Sequence, residues 1–266
     1  MLKDITIGQY YNVDSIIHRL DPRTKLMGTI CFIIALFMKQ EIISYLLITC
    51  FLVFIIKLSK VPLKYMLKGL KSIFFLLTFS MVFNLFLTAG TPIFTIWRLS
   101  ITDNGVKLSA FMAVRLVYLI LGSSLMTLTT TPNELTDGIE KGLRGLNKFG
   151  VPVHAMAMMM SIALRYIPIL SEETDKIMKA QMARGADFES GNFMKRAKSM
   201  IPILVPLFIS AFRRATDLAM AMESRCYNVN KNRTKMKPLV YTKSDYMAYI
   251  ILLLFMSALI YIRVVI

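Results

Sequence analysis

The amino-acid sequence predicts an all-α integral membrane protein with about five transmembrane helices plus long amphipathic cytoplasmic helices. Three observations carry that reading. Of the 266 residues, 56% are apolar and only 18% are charged, where a soluble domain carries about 25%. The apolar residues are gathered into runs that approach the thickness of a bilayer's hydrocarbon layer. The remainder is strongly basic, with a formal charge of +16, and its Lys and Arg fall in alternate segments, as a membrane protein's cytoplasmic loops require. A charge of that size would also suit nucleic-acid binding, but the apolar runs exclude it.

The runs are 26–38, 42–56, 73–89, 108–130 and 246–262. The first two are short, and only Lys39-Gln40-Glu41 separates them, so one tilted span competes with a tight hairpin. Charge decides for the hairpin. Lys3, Arg19, Arg23 and Lys25 precede residue 26, while Lys57, Lys60, Lys64, Lys68 and Lys71 follow residue 56. Both groups belong in the cytoplasm, which requires an even number of crossings between them. Carried forward, that count puts 90–107 outside, 132–243 inside, the N-terminus in the cytoplasm and the C-terminus outside. The cytoplasmic segments then hold 27 of the 32 Lys and Arg, an asymmetry that supports five spans. No cleavable leader is expected, because the first 25 residues lack an apolar core. Three parts follow: 1–131 (membrane, four spans), 132–243 (cytoplasmic) and 244–266 (the last span). In the external segment, residues from Phe94 to Ile101 alternate in polarity and lead to Asp103-Asn104-Gly105, which fits a short β-ribbon or a structured loop. Trp97 and Arg98 are expected near the headgroups.

The cytoplasmic part opens with Thr131-Pro132-Asn133-Glu134, a capping box with proline at the first helical position. Leu135, Ile139, Leu143, Leu146 and Phe149 follow at helical spacing, and Gly150-Val151-Pro152 closes that helix. Gly138, Gly142 and Gly145 mark a second face where another helix can come close. A second helix is predicted from Val153 to Arg184, roughly 45 Å long at 1.5 Å per residue. Its first half is as apolar as a span, but Arg165, Pro168 and an unbroken run into Glu172-Glu173-Thr174-Asp175-Lys176 assign it to the cytoplasm. A sixth span is the rival. A third helix is predicted from Phe193 to Arg225, with Pro202 and Pro206 interrupting an apolar stretch of 13 residues, 200–212, that is short for a span. The linker 227–243, with five basic and no acidic residues, suits anionic headgroups.

Candidate functional residues concentrate at the ends of these helices. Ala183-Arg184-Gly185 and Ser224-Arg225-Cys226 form a near-repeat on successive helices. Small neighbours let a helix end enter a groove, and each arginine offers a planar fork of donors. The bland alternative is that each arginine satisfies the last carbonyls of its own helix. Met156, Met158, Met159, Met160, Met178, Met182, Met200, Met220 and Met222 supply flexible thioethers, suited equally to core filling and to surfaces that repack against partners. Of these, Met156, Met159, Met160, Met178, Met182 and Met220, with Arg165, Pro168, Pro202 and Pro206, are candidate helix–helix and partner contacts. Asp21-Pro22-Arg23-Thr24-Lys25 reads as a helix start and topology anchor, in which Asp21 caps, Pro22 opens the helix, and Arg23 and Lys25 extend to phosphates. Arg115 sits inside a span, where an arginine needs pairing or a reach toward the outer face.

Enzymatic chemistry finds no foothold. The chain has no G-x-x-x-x-G-K-[ST] segment for nucleotide phosphates and no H-E-x-x-H. Glu172-Glu173 resembles the paired glutamates of intramembrane prenyl-peptidases, but Ile177 stands where those enzymes carry arginine. No serine occupies a nucleophile elbow. Cys31, Cys50 and Cys226 have no disulfide or zinc spacing, and His18 and His154 cannot make a histidine-rich metal site.

Ser15-Ile16-Ile17-His18-Arg19-Leu20-Asp21-Pro22-Arg23-Thr24-Lys25 closely resembles the N-terminal signature of the transmembrane T component (EcfT) of energy-coupling factor transporters. Arg165-Tyr166-Ile167-Pro168, Ala180-Gln181-Met182-Ala183-Arg184-Gly185 and Ala221-Met222-Glu223-Ser224-Arg225-Cys226-Tyr227 resemble that family's cytoplasmic pattern. The resemblance covers essentially the whole chain in order. It implies a non-catalytic subunit joining two cytoplasmic ABC-type ATPases, which hold ATP and magnesium, to a small membrane S component that binds a vitamin or similar micronutrient. It also implies that 132–243 forms coupling helices crossing as an X, each docking one ATPase. That role falls on Arg184 with Ala183 and Gly185, and on Arg225 with Ser224 and Cys226. Ser224 and Cys226 replace the family's Ala and Gly, and a different cap at Cys226 is the expected consequence. No cofactor is implied in this chain. A membrane scaffold anchoring a static cytoplasmic partner is the alternative function. A secondary transporter is disfavoured, because the spans lack discontinuous pairs and midplane acidic residues.

Overall fold

Proline and left-handed residues set most element boundaries in the computed structural model, which describes residues 10–38, 41–88, 91–96, 99–188, 192–227, 236 and 238–265. The described elements are α1 (Pro22–Met38), α2 (Ile42–Ser59), α3 (Leu63–Leu87), β1 (Pro92–Ile96), β2 (Leu99–Thr102), α4 (Asp103–Thr129), α5 (Pro132–Gly142), a 3₁₀ segment (Leu143–Phe149), α6 (Val153–Ala183), α7 (Phe193–Ser199), α8 (Ile201–Ser224) and α9 (Lys243–Val265). Pro22 and Pro132 occupy the first position of α1 and α5, where a missing N–H costs nothing. Lys60 ends α2 at φ 55°. The expected capping box at α5 forms reciprocally: the Thr131 N–H donates to Glu134 Oε2 (3.1 Å) and the Glu134 N–H to Thr131 Oγ1 (3.3 Å).

The protein is an all-α integral membrane protein. Among the described residues, five helical stretches are long and apolar enough to cross a bilayer: Ile42–Ser59, Asp103–Thr129, Val153–Ala183, Met194–Ser224 and Lys243–Val264. α3 qualifies when its bent halves, Leu63–Lys71 and Ile73–Phe86, are taken together. At 17 residues, α1 sits at the lower limit for a span. Length and composition thus admit α6 and α8 alongside the membrane runs. Between α3 and α4 the ribbon forms: β1 pairs antiparallel with β2, Phe94 opposite Ile101 and Ile96 opposite Leu99. Trp97, Arg98 and most of the basic linker lie outside the described residues.

The chain forms two compact units. One is Gly8–Gly142 with Leu239–Ile266, and the other contains Leu143–Pro238. The division falls after Gly142 rather than at 131–132, because α5 packs on α1. A Cβ built on Gly138 would lie 3.0 Å from Pro22 Cβ, whereas Gly142 and Gly145 face open space. Only the first of the three glycines serves close approach. In this first unit the apolar centre is Phe32, Ala35 and Leu36 of α1, Ile48 and Leu52 of α2, and Phe255 and Leu259 of α9. Lipid tails are as apolar as these side chains, so shape and van der Waals contact hold the helices together rather than escape from water. Phe51 stacks on Phe255 with ring centroids 4.0 Å apart. At Gly122 of α4 a Cβ would meet the Phe32 ring at 2.5 Å, so glycine there lets α1 and α4 close. Arg115 is buried: its Nε donates to the Tyr45 hydroxyl (3.2 Å) and its guanidinium lies 5.1 Å from the Phe37 ring centroid. Structural pairing, not outward reach, satisfies it.

A polar knot ties the helix starts together. Asp245, fully buried, accepts the Asp21 N–H on Oδ1 (2.8 Å), and the Thr242 N–H (2.8 Å) and hydroxyl (2.7 Å) on Oδ2. Asp21 in turn accepts three bonds from Arg23: from its backbone N–H (2.9 Å), Nε (3.0 Å) and Nη2 (2.9 Å). The Arg23 guanidinium packs 3.9 Å over the Tyr241 ring. Lys25 Nζ donates to the carbonyls of His18 (3.0 Å) and Thr129 (2.8 Å). The expectation that Arg23 and Lys25 extend to phosphates is corrected here. Both turn inward, because orphan carbonyls and a buried carboxylate offer fixed partners that a mobile headgroup does not. Asp21, Pro22, Arg23 and Lys25 are therefore inward-facing clamps at the foot of α1. Replacing Asp245 by Ala leaves the buried Asp21 N–H without its acceptor, at a cost of about 1–3 kcal/mol, and removes two half-buried bonds from Thr242. The expected result is a fall in apparent melting temperature of the detergent-purified chain, with far less effect from Ser257→Ala on the same helix.

Candidate functional site

The unit containing Leu143–Pro238 holds the predicted helix ends. α6 runs unbroken through Pro168 for 31 residues, as the sequence spacing predicts. The third helix departs from expectation in one respect. It breaks at Met200 into α7 and α8, with Pro202 in the first turn of α8, while Pro206 lies inside α8 without ending it. A proline in the first turn removes a donor that has no partner anyway, so the break falls just ahead of it.

Both helices end in the same way. At α6, Arg184 is the C-cap (φ −87°, ψ 6°) and Gly185 turns left-handed at φ 87°. The Gly185 N–H donates to the Met182 carbonyl (2.9 Å) and the Ala186 N–H to the Gln181 carbonyl (3.0 Å). At α8, Arg225 is the C-cap (φ −90°, ψ 15°) and Cys226 turns left-handed at φ 53°. The Cys226 N–H donates to the Glu223 carbonyl (2.8 Å) and the Tyr227 N–H to the Met222 carbonyl (2.9 Å). This paired 5→2 and 6→1 pattern is a Schellman motif, and it occurs twice at identical positions relative to the arginine. The expectation of a different cap at Cys226 is thereby corrected. Cysteine adopts the left-handed conformation at a cost of about 1–2 kcal/mol, and the two hydrogen bonds hold it there.

The caps have a consequence for the side chains. Backbone N–H groups reach back to the terminal carbonyls, joined at α8 by the Ser224 hydroxyl on the Ala221 carbonyl (3.0 Å), and among the described residues no arginine side chain takes part. Arg184 and Arg225 are both exposed, as are Ala183, Gly185, Ser224 and Cys226. Among the described residues neither guanidinium is paired with a carboxylate. Each tip therefore offers five donors on a rigid fork, none bonded to a described carboxylate.

The candidate contact residues line the sides of the same helices. Met156, Met159, Met160, Met182 and Met220 are exposed, with Arg165, Pro168, Pro202 and Pro206, while Met178 is half-buried. On α8 the apolar exposure continues through Leu204, Val205, Phe208 and Phe212. Such a run on a helix face marks a surface awaiting lipid or a partner.

One cluster lay outside the sequence-based candidates. Glu173 of α6 accepts the Ser210 hydroxyl on Oε1 (2.6 Å) and Arg214 Nη2 on Oε2 (2.9 Å), both from α8. A signal was present: Glu173 and Arg214 are offset by the same 41 positions as Arg184 and Arg225. Opposite charges repeated at that offset were legible once the arginines were aligned. Among the described residues no group of three or more His, Cys, Asp or Glu is placed to hold a metal ion.

Comparison with known proteins bears on this geometry. The family model described as CbiQ, a cobalt transport protein, matches residues 14–236. The chain is 54% identical to an energy-coupling factor transporter transmembrane protein EcfT of Clostridium kluyveri over 250 residues, covering 93% of each chain. The protein of the same name from Thermosediminibacter oceani is 53% identical over 94% of each. That of Bacillus subtilis is 44% identical over 99% of this chain and all of its own. The chain belongs to the EcfT family. It is thus a multi-pass membrane protein, the non-catalytic transmembrane component of an energy-coupling factor transporter. Both arginine tips stand in this EcfT-family chain on Schellman caps of unequal cost. No atom lies within 4 Å of a Cβ built on Gly185, so substitution there pays only the backbone penalty. Amide hydrogen exchange checks this: Gly185→Val should speed exchange at Ala186 roughly tenfold or more, and Cys226→Gly should slow it at Tyr227, each tenfold corresponding to about 1.4 kcal/mol.

Proposed function

We propose that this EcfT-family chain is the coupling subunit of an importer, passing ATP-driven motion from two cytoplasmic ABC-type ATPases to a small membrane S component that binds a vitamin or similar micronutrient. The observation that carries the reading is the duplicated cap, which presents two exposed arginines, unpaired among the described residues, at the same position on the ends of successive helices. Two equal tips suit two equal partners. An exposed guanidinium on a fixed backbone meets an acidic groove with charge-assisted, often bidentate hydrogen bonds. Partial burial on docking then makes loss of either member costly. Ala183 and Ser224 keep the flank of each tip narrow enough to enter such a groove. The exposed methionines and prolines of α6 and α8 are the surface offered to the S component, where thioethers repack at little cost. ATP and magnesium belong to the partner ATPases, not to this chain.

In this reading α6 and α8 lie on the cytoplasmic side, with the N-terminus inside and the C-terminus outside. The support is charge. Residues 132–243 hold 18 of the 32 Lys and Arg, more than a translocated segment tolerates. The native Cys226 thiol, exposed beside the second tip, gives a direct measurement. In a Cys31→Ser, Cys50→Ser background, a membrane-impermeant maleimide should label inverted vesicles and spare right-side-out vesicles. Labelling from the outer face ends the proposal.

Docking is tested by charge reversal. Arg184→Glu combined with Arg225→Glu should abolish co-purification of both nucleotide-binding proteins, while membrane insertion and melting temperature stay at wild-type values. Each single reversal should weaken capture, and full retention by the double variant would refute the docking role.

A further inference from the structure

Two helices that carry tips must meet somewhere, and where they meet decides how tip motion is transmitted. α6 and α8 pack on each other, and Glu173 receives Ser210 and Arg214 from across that contact, one on each carboxylate oxygen. A carboxylate gripped at both oxygens by two residues one turn apart is fixed in rotation as well as position. Arg214 Nε also lies 3.5 Å from Ser210 Oγ, which closes the three groups into one cluster.

The position of this cluster is the informative part. Eleven residues separate Glu173 from Arg184, and eleven separate Arg214 from Arg225. At 1.5 Å per residue each arm beyond the cluster is roughly 17 Å long. The two helices are thus joined at equivalent points and extend equally past them to identical caps. Unequal arms would turn one symmetric pull into a lopsided displacement, whereas equal arms keep the two tips in step.

We propose that Glu173, with Ser210 and Arg214, is the fulcrum of the two tip-bearing helices, and that these three are positioning residues for force transmission. The proposal rests on the docking reading above and deepens it. The pair is partly open: the Arg214 side chain is 41% exposed and that of Glu173 25%. A partly solvated ion pair of this kind holds little free energy. Its use is geometric, because it keeps a single contact point while the angle between the arms changes. A rotation of about 15°, the size seen in rigid-body switching, would carry each tip roughly 4 Å.

Spin labels on matched positions of both arms read this directly. Lys179 and Met220 lie on the tip side, Met160 and Ile201 on the far side, and all four are exposed. Each pair, introduced as Lys179→Cys with Met220→Cys or as Met160→Cys with Ile201→Cys in a chain lacking Cys31, Cys50 and Cys226, is measured by pulsed dipolar spectroscopy. The sample is the full chain assembled with its two ATPases in nanodiscs, nucleotide-free and with MgATP plus vanadate. The expected result is that both distances shift together in the wild-type background. Arg214→Glu should leave ATPase co-purification unchanged and the tip-side shift present, but remove the far-side shift. The swap Glu173→Arg with Arg214→Glu should restore it. Joint shifts that survive Arg214→Glu overturn the fulcrum, as does a swap that melts like wild type yet restores nothing. If Arg214→Glu fails to fold, Ser210→Ala serves in its place: a broadened far-side distribution supports the fulcrum and an unchanged one overturns it. Loss of ATPase capture in the tip reversals, read by co-purification alone, bears on docking and is separate from either outcome.

Discussion

A helix that stops leaves its last carbonyls without donors, and in or beside a bilayer water cannot be relied on to supply them. How this chain answers that constraint organises much of what it builds. At the ends of α6 and α8 the chain turns left-handed and two backbone N–H groups reach back, with the Ser224 hydroxyl adding a bond to the Ala221 carbonyl at α8, so neither arginine is consumed. That is why both arginines stand free for other use. At the starts of α5 and α9 the answer is a side chain: Glu134 and Asp245 each accept the N–H of the threonine three residues earlier. Asp245 spends its remaining oxygen on the start of α1, and a local cap becomes a joint between the two ends of the chain.

The two compact units use polar groups in opposite ways. In the unit holding α1 to α5 and α9, three charged groups are buried with partners: Arg115 with Tyr45, Lys25 with two carbonyls, Asp245 with three donors. Burial without partners would cost several kcal/mol per group, so these contacts define one arrangement of the helices. In the unit holding α6 to α8 the described charged groups are exposed or half-exposed, the Glu173–Arg214 pair among them.

Legibility differed in the same way. The capping box at Thr131, the length of α6 and the left-handed residue after Arg184 follow from local rules that act within a few residues, whereas the segment near Ile101 fitted both a ribbon and a loop until the strand pairing chose the ribbon. Periodicity, proline position and turn chemistry report such features directly. The Asp21–Asp245 joint was hidden because its partners are 224 residues apart, and each has an adequate local explanation as a helix start. Arg23 and Lys25 were read as reaching outward for the same reason: a basic residue beside a span has an obvious partner in the headgroups, and nothing local names a better one. The cap at Cys226 was misjudged because cysteine has only a weak left-handed preference, which two backbone hydrogen bonds override.

The sequence by itself determined the class of the molecule: helical, membrane-embedded, basic in alternate segments, with twin arginine tips in an EcfT-like order. Hydrophobic run length, charge asymmetry and short motifs are additive properties of neighbouring residues, and they survive without coordinates. Only the tertiary structure decided which charged side chains turn inward, that α5 packs on α1, that both tips share one cap, and that Glu173 meets Ser210 and Arg214. Those outcomes depend on which helices touch, and helix contact in a membrane is settled by shape and by the pairing of distant polar groups rather than by apolarity.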